Sequence, residues 1–257
     1  MRIGTFLVGV SLVAALSFAD SARAGQPQGP HPIVVELFTS QGCSDCPAAD
    51  RIVVDLSKRK DILALSFPIT YWDMLGWKDT FATEANTNRQ KSYAKAMNRS
   101  GIYTPQIIVD GQFDVVGNQR ERVLSALATR ASQIAYDQPV NISLGIASGR
   151  VEIGIPAVRG KTKPLATIWV MRTLSQATVN VQQGENRNHQ LVYANVVREL
   201  QRAGEWTGEA MKLDLPLTLG KSKQDGIVVL LQSHDYGPVL GSALIQVPSN
   251  DQVAAPR

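Results

Sequence analysis

The chain has 257 residues, 44% of them hydrophobic, and a formal net charge of +4 at neutral pH. That length and apolar content bury a real core and allow one large domain or two modest ones. The positive charge is mild and scattered. Its densest group, Lys58-Arg59-Lys60, has no interleaved aromatics, which sets nucleic-acid binding aside.

Residues 1–24 read as an export signal: Arg2 supplies the positive start, Phe6 to Ala19 is apolar with few interruptions, and Ala22-Arg23-Ala24 ends with small residues. Gly25 is the expected first mature residue. The apolar stretch is too short to span a bilayer, and no later window supplies the ~20 apolar residues that a spanning helix needs. The expectation is an exported protein, periplasmic or secreted, with no stable membrane insertion. Export sets the compartment against which a cysteine pair's redox state is judged.

After the leader, Ile33 to Phe38 is a short apolar run bounded by His31-Pro32 and Thr39-Ser40-Gln41-Gly42, which predicts a buried strand. The two cysteines of the chain follow at once, as Cys43-Ser44-Asp45-Cys46-Pro47. Ala48 to Ser57 has helical spacing and Ile62 to Phe67 reads as a second strand, so a right-handed crossover and parallel pairing are expected. Residues 71–100 form a polar insertion opening with Tyr71-Trp72-Asp73 and continuing as a helix over Glu84–Met97. Thr104-Pro105 precedes a strand at Gln106–Val109, an Asp110-Gly111 hairpin turn, a strand at Gln112–Val116 and a helix over 119–134.

Beyond Tyr136-Asp137-Gln138-Pro139 the pattern turns to alternation. Strands are expected at 140–146, 150–155, 166–172, 177–181, 227–232 and 243–247, with one helix at Leu191–Gln201. The domain reading is therefore 25–137, carrying the insertion, and a separate β-sandwich-like domain over 138–257.

A Cys-x-x-Cys pair that opens a helix closes into a small disulfide ring and reopens, and the helix N-terminus stabilises the thiolate that either step requires. The order strand, Cys-x-x-Cys, helix, strand, insertion, Thr-Pro, hairpin, helix resembles the thioredoxin superfamily over residues 33–134. The whole mature chain is similar, more closely, to a family of exported bacterial thioredoxin-like proteins of unassigned function. That likeness rests on Glu36-Leu37-Phe38-Thr39-Ser40-Gln41-Gly42-Cys43, Tyr71-Trp72-Asp73, Tyr103-Thr104-Pro105-Gln106 and Gly184-Glu185-Asn186. The fold class expected is an α/β thioredoxin-like domain followed by a mainly-β sandwich-like domain.

The resemblance implies that Cys43 is the nucleophile and Cys46 the resolving thiol. The physics agrees, since Cys43 meets free helix amides and is expected to keep some exposure, while Cys46, one turn on, faces inward. As a mere staple the pair is poorly placed, because a four-residue ring contributes only about 2 kcal/mol against ~3 for a fifteen-residue loop. A closed zinc site wants four ligands, and the mature chain offers two cysteines plus His31, His189 and His234, all far from them in sequence. No metal ligand is assigned, and soft Cu(I) is the ion the pair suits best. Asp45 adds negative charge where the thiolate forms, which argues for a weaker oxidant suited to reduction or isomerisation.

A cis Pro105 would present the Thr104 backbone to an extended substrate, so Thr104 and Pro105 are the expected substrate-binding pair; a trans turn proline is the alternative. Glu36, seven positions before Cys43, is either a proton relay for the resolving cysteine or a salt-bridged structural carboxylate. Trp72 and Trp77 line a peptide surface or pack in the core. Gly184 to His189 is a polar loop with no catalytic role assigned.

The functional expectation is a thiol–disulfide oxidoreductase acting on protein disulfides, with no dissociable cofactor and an unidentified redox partner. A non-catalytic binding or assembly protein and a Cu(I)-delivery protein are the competing classes. The depth of the Cys43 sulfur matters to all three. If the second half covers it, a protein substrate needs movement to reach it.

Overall fold

Every residue of the first strand, β1 (Ile33–Thr39), is buried, as a mainly apolar strand inside a sheet covered on both faces requires. The structure is a computed structural model that describes residues 32–134, 139–160, 164–217 and 225–247. The expected leader, and residues 135–138 of the expected domain boundary, lie outside the described residues.

From β1 the chain passes through α1 (Cys46–Leu56) into β2 (Ile62–Pro68), which pairs in parallel with β1 from Ile33↔Ile62 to Thr39↔Pro68. A 3₁₀ helix (Thr70–Leu75) and α2 (Glu84–Ala96) occupy the insertion. Thr83 caps α2 by accepting from the Asn86 amide at 3.2 Å. Then come β3 (Gln106–Val109), β4 (Phe113–Val116) and α3 (Arg120–Ile134), with β3 antiparallel to both β1 and β4. Residues 110–112 connect β3 to β4; Asp110 and Gly111 take positive φ angles of 49° and 70°, and the Gln112 amide donates to the Val109 carbonyl at 2.9 Å to close the tight turn.

The second half supplies β5 (Ser143–Ala147), β6 (Arg150–Ile155), β7 (Ala166–Asn180), β8 (Gln190–Trp206), β9 (Met211–Pro216), β10 (Gly226–Ser233) and β11 (Val239–Gln246). Two strands expected at 166–172 and 177–181 are one long strand, β7. The helix expected over Leu191–Gln201 is a correction: those residues lie inside β8, which pairs with β7 from Asn180↔Gln190 to Ala166↔Trp206. Apolar residues at 191, 194, 197 and 200 mimic helical spacing. Val192, Tyr193, Val196 and Val197 favour a pleated surface, and a partner strand decides the matter.

The strands form a mixed eight-stranded sheet in the order β11-β10-β7-β8-β2-β1-β3-β4, and a separate antiparallel sheet in the order β5-β6-β9. Side-chain alternation divides the faces. Val35, Leu37, Ala64, Ile107 and Val109 pack with Ile52, Val53 and Leu56 of α1 and Val123 and Leu127 of α3. Val34, Phe38, Leu65, Phe67 and Ile108 point to the other face, with Tyr93 of α2 and with Met171, Val197, Val228 and Leu230 of the second half. The small sheet packs on β7 and β10 through Val151, Ile153, Ile168, Val170, Val229 and Leu231.

The sandwich-like packing expected of the second half is therefore present, but its larger sheet runs on into the first half. The join is narrow. β8 meets β2 in parallel at Ser66↔Val196, where Ser66 Oγ donates to the Ala194 carbonyl at 2.9 Å. Asn195, at φ 45°, turns its amide onto the Ala64 carbonyl, also at 2.9 Å.

Candidate functional site

The end of β1 delivers the chain into Ser40-Gln41-Gly42 and directly to Cys43, which at 2% exposed is buried where some exposure was expected, because the second half of the chain lies on this turn. Cys43 and Cys46 form a disulfide with Cα atoms 5.4 Å apart, and the Cys46 amide donates to the Cys43 carbonyl at 3.2 Å. Ser44 and Asp45 are exposed, and Asp45 stands at the N-cap of α1 without a side-chain capping bond. Pro47 follows in the first turn, where a missing N–H costs least.

The turn before the cysteines is held from outside. Gln41 donates its backbone amide to Asp79 at 2.8 Å and accepts from the Trp77 indole at 2.8 Å. Trp72 lies over Gly42, where an added Cβ would stand 3.1 Å from the Trp72 Cβ, and its indole donates to Thr104 Oγ1 at 2.7 Å. Trp72 thus links the cysteine turn to the Thr104-Pro105 peptide, which is cis. Pro105 packs by the first turn of α1: a Cβ on Gly117 would lie 3.1 Å from the Pro105 Cβ and 3.2 Å from the Ala49 Cβ. The exposed side chains of Tyr71, Met74 and Leu75 flank this edge on the 3₁₀ helix.

The remaining contacts come from far along the chain. Between β7 and β8 the hairpin tip Val181–His189 reaches the cysteine turn, where Asn186 Nδ2 donates to the Gln41 carbonyl at 3.0 Å and to the Cys43 carbonyl at 2.8 Å. Glu185 accepts from the Ser44 amide at 3.1 Å. Asn186 is buried while every other residue from Gln182 to Gln190 is exposed. The second half therefore lies directly on the cysteine turn.

Residues 34–232 match the model of a family described as a protein of unknown function, DUF1223. The chain belongs to the DUF1223 family. No functionally curated protein matches it. The crystal structure of protein AGR_C_4864 from Agrobacterium tumefaciens is similar at 31% identity, with a TM-score of 0.74, over 89% of this chain and 99% of that one. HBP35 of Porphyromonas gingivalis is similar in fold, at 11% identity and a TM-score of 0.58, over 90% of this chain and 82% of that one. The span matched to the DUF1223 family runs from β1 to β10, so it contains the cysteine turn, the cis peptide and the hairpin tip together.

In this DUF1223 chain Glu36 is not beneath Cys46. It projects to the α2 face of the sheet, opposite α1, where Arg89 Nη2 donates to it at 2.9 Å and the Tyr93 hydroxyl also donates to it. Burial alone would depress the Arg89 guanidinium, and the Glu36 carboxylate overcomes that and holds it above its ordinary range. Four aromatic rings, of Phe67, Tyr93, Trp169 and Tyr236, surround the Arg89 guanidinium within 5.6 Å of their centroids. The geometry is that of a salt-bridged structural carboxylate. Even spacing puts Glu36 on the same face as Val34 and Phe38, a parity that apolar neighbours on both faces of the strand do not reveal.

The buried acid on the cysteine side is Asp50, a residue the sequence reading passed over. It follows Cys46 by four positions on α1, a spacing that puts both side chains on one helix face. Thr39 Oγ1 donates to Asp50 Oδ1 at 2.8 Å, and Oδ2 has no hydrogen-bond partner. Burial pushes the Asp50 carboxyl well above the usual carboxylate range, against the opposing pull of the Thr39 bond. The buried Tyr193 hydroxyl on β8 also has no partner, and burial together with the charges of Asp50 and Asp79 raises it. Asp79 is itself raised by burial, in spite of donations from the Gln41, Phe81 and Ala82 amides. The spacing from Cys46 to Asp50 was the one available signal.

Of the histidines, His31 lies outside the described residues, His189 closes the tip turn through its backbone, and His234 lies 3.5 Å from Glu205. Among the described residues no group of three or more His, Cys, Asp or Glu side chains is arranged to hold a metal ion. No described helix is long and apolar enough to cross a membrane.

Proposed function

We propose that this protein is an exported thiol–disulfide oxidoreductase of thioredoxin-like architecture, acting on polypeptide disulfides through Cys43 and Cys46. The observation that carries the reading is a Cys-x-x-Cys disulfide at the N-terminus of α1, joined through Trp72 to a cis Thr104-Pro105 peptide. The strand order β2-β1-β3-β4, with α1 crossing over between β1 and β2, supports the architecture.

In the reductive direction the Cys43 thiolate attacks one sulfur of a substrate disulfide, forming a mixed disulfide and releasing the other substrate sulfur as a thiolate. The Cys46 thiol passes its proton to the Asp50 carboxylate and attacks the Cys43 sulfur. The bond to substrate breaks, and the Cys43–Cys46 disulfide forms. Two electrons have moved to the substrate, so a partner dithiol must reduce the pair again. Thr104 and Pro105 are the proposed backbone support for the substrate segment, and Glu36 has no part in the proton path.

Burial of Cys43 favours a second reading, in which the disulfide stays closed and the protein serves binding or assembly. Trapping separates the two. A Cys46→Ser variant expressed in its native compartment should accumulate mixed disulfides that a Cys43→Ser variant does not. If both variants trap nothing while their stability is unchanged, the binding reading replaces the redox one.

A further inference from the structure

We propose that the hairpin tip Gln182–His189 is a gate over Cys43, latched by Asn186, and that an extended polypeptide opens it by supplying its own amide donors. This inference rests on the redox reading of the same site. Asn186 gives its side-chain amide to the Gln41 and Cys43 carbonyls, two acceptors that flank the reactive sulfur. An N–H of an extended chain can make the same bonds, so the tip occupies a place that suits a substrate backbone. Glu185, on the Ser44 amide, likewise stands where a substrate carbonyl can accept.

The tip is built to leave without disturbing the core. Its root is fixed by Val181, Leu191 and Tyr193, which are buried with Ala177 and Val196. Beyond the root, Asn186 is the one buried side chain from Gln182 to Gln190, so the tip is held down by its polar bonds together with the Trp77 side chain, whose Cβ lies 3.5 Å from the position of a Cβ on Gly184. Its shape is set internally by bonds from the Arg187 amide to the Gly184 carbonyl and from the His189 amide to the Asn186 carbonyl. Gly184 and Asn188, at φ 79° and 65°, adopt the left-handed conformations that such a turn needs. Lifting the tip therefore exchanges three hydrogen bonds for solvent or for substrate, and the turn keeps its form.

The test uses the full mature chain. An Asn186→Asp variant replaces the donor by an acceptor of the same shape. A water-soluble phosphine should then open its Cys43–Cys46 disulfide about tenfold faster than in the parent, the loss of about one net charge-free hydrogen bond or two. Lys58→Ala, at the far end of α1, should leave that rate unchanged. Equal rates for Asn186→Asp and parent, with unchanged thermal unfolding, overturn the gate. Should Asn186→Asp fail to fold, hydrogen exchange of the Ser44 amide in the unaltered protein decides. Exchange by local opening supports the gate, and exchange only through global unfolding removes it. The substrate class is read with the reduced protein and a short disulfide-linked peptide. N-methylation of the amides beside its cysteine should slow reaction about tenfold, whereas equal rates remove the polypeptide part. Faster phosphine opening with no peptide-disulfide reaction in any variant keeps the gate and discards the redox reading. Peptide-disulfide reaction by the parent, with no change of phosphine rate in Asn186→Asp, does the reverse.

Discussion

Asp50 accepts the Thr39 hydroxyl on one carboxylate oxygen at 2.8 Å and leaves the other oxygen buried without a partner, one helical turn beyond Cys46. A buried acid in that state holds its proton to higher pH than it does in the unfolded chain. Over the interval between the two pKa values the native state binds more protons than the unfolded state, so stability falls as pH rises through it. Asp50→Asn keeps an oxygen for Thr39 and removes the ionisation. We expect the variant to be more stable than the parent by about 1–3 kcal/mol at neutral pH, with the advantage closing toward pH ~4. Urea unfolding midpoints between pH 4 and 8 check this; a constant difference at every pH would show that the carboxylate is not the titrating group.

The same substitution tests the proton path. Without a carboxylate to take the Cys46 proton, resolution of a Cys43 mixed disulfide should slow on the order of a hundredfold near neutral pH, as loss of a positioned base does. The difference should shrink in alkaline buffer, where the thiol ionises unaided. Single-turnover release of a chromogenic thiol from Cys43 measures it, and an unaltered pH profile would remove Asp50 from the reaction.

Glu36 gives the opposite expectation. Glu36→Ala leaves the Arg89 guanidinium buried without its counter-ion and should cost about 3–5 kcal/mol. Glu36→Gln should be milder, because Tyr93 and Arg89 still find an oxygen. Neither should change the pH dependence of thiol exchange in folded protein, since the sheet separates Glu36 from α1. A shifted thiol profile in Glu36→Gln would restore it to the proton path.

Gly117 is where the cis peptide meets α1. A methyl group there stands 3.1–3.2 Å from the side chains of Pro105, Ala49 and Leu37, too close for relaxed contact. Gly117→Ala should destabilise by about 1–3 kcal/mol through overpacking. Chemical denaturation measures that cost, and a neutral effect would mean that the proline and the helix separate easily.

The two halves should unfold together. Val34, Phe38, Leu65 and Phe67 share one apolar cluster with Met171, Val228 and Leu230, and Arg89 donates to Gln232 at 3.1 Å. A fragment of residues 25–137 exposes that face and the edge of β2. It should lack a cooperative thermal transition, whereas residues 25–257 together should show one shared by near- and far-ultraviolet circular dichroism. A cooperative transition in the fragment would mark it as an independent domain.

The first half was largely legible because its signals are local. Apolar runs bounded by turn residues, helical spacing after Cys46, the Asp110-Gly111 turn and Thr104-Pro105 each specify their element within a few residues. The second half was legible as β-rich but not in detail. Leu191–Gln201 satisfies a helical period and a strand equally well, and only β7 alongside it resolves the choice. The face taken by Glu36 was hidden for a related reason, since a strand buried on both sides loses the alternation that betrays its orientation.

By itself, then, the sequence determined the cysteine pair at a helix start, the proline before the third strand and the order of elements around them, all set by short-range backbone and side-chain preferences. Only the tertiary structure decided that Asp50 rather than Glu36 is the acid on the side of Cys46. The same holds for the continuation of the sheet into the second half and for the seat of Asn186 on the Cys43 carbonyl. The last two depend on which surfaces meet across more than 100 residues of chain, and the free energy of such meetings is shared among distant partners that no local pattern records; the first depends on the face that β1 turns toward α1, which a strand buried on both sides does not show.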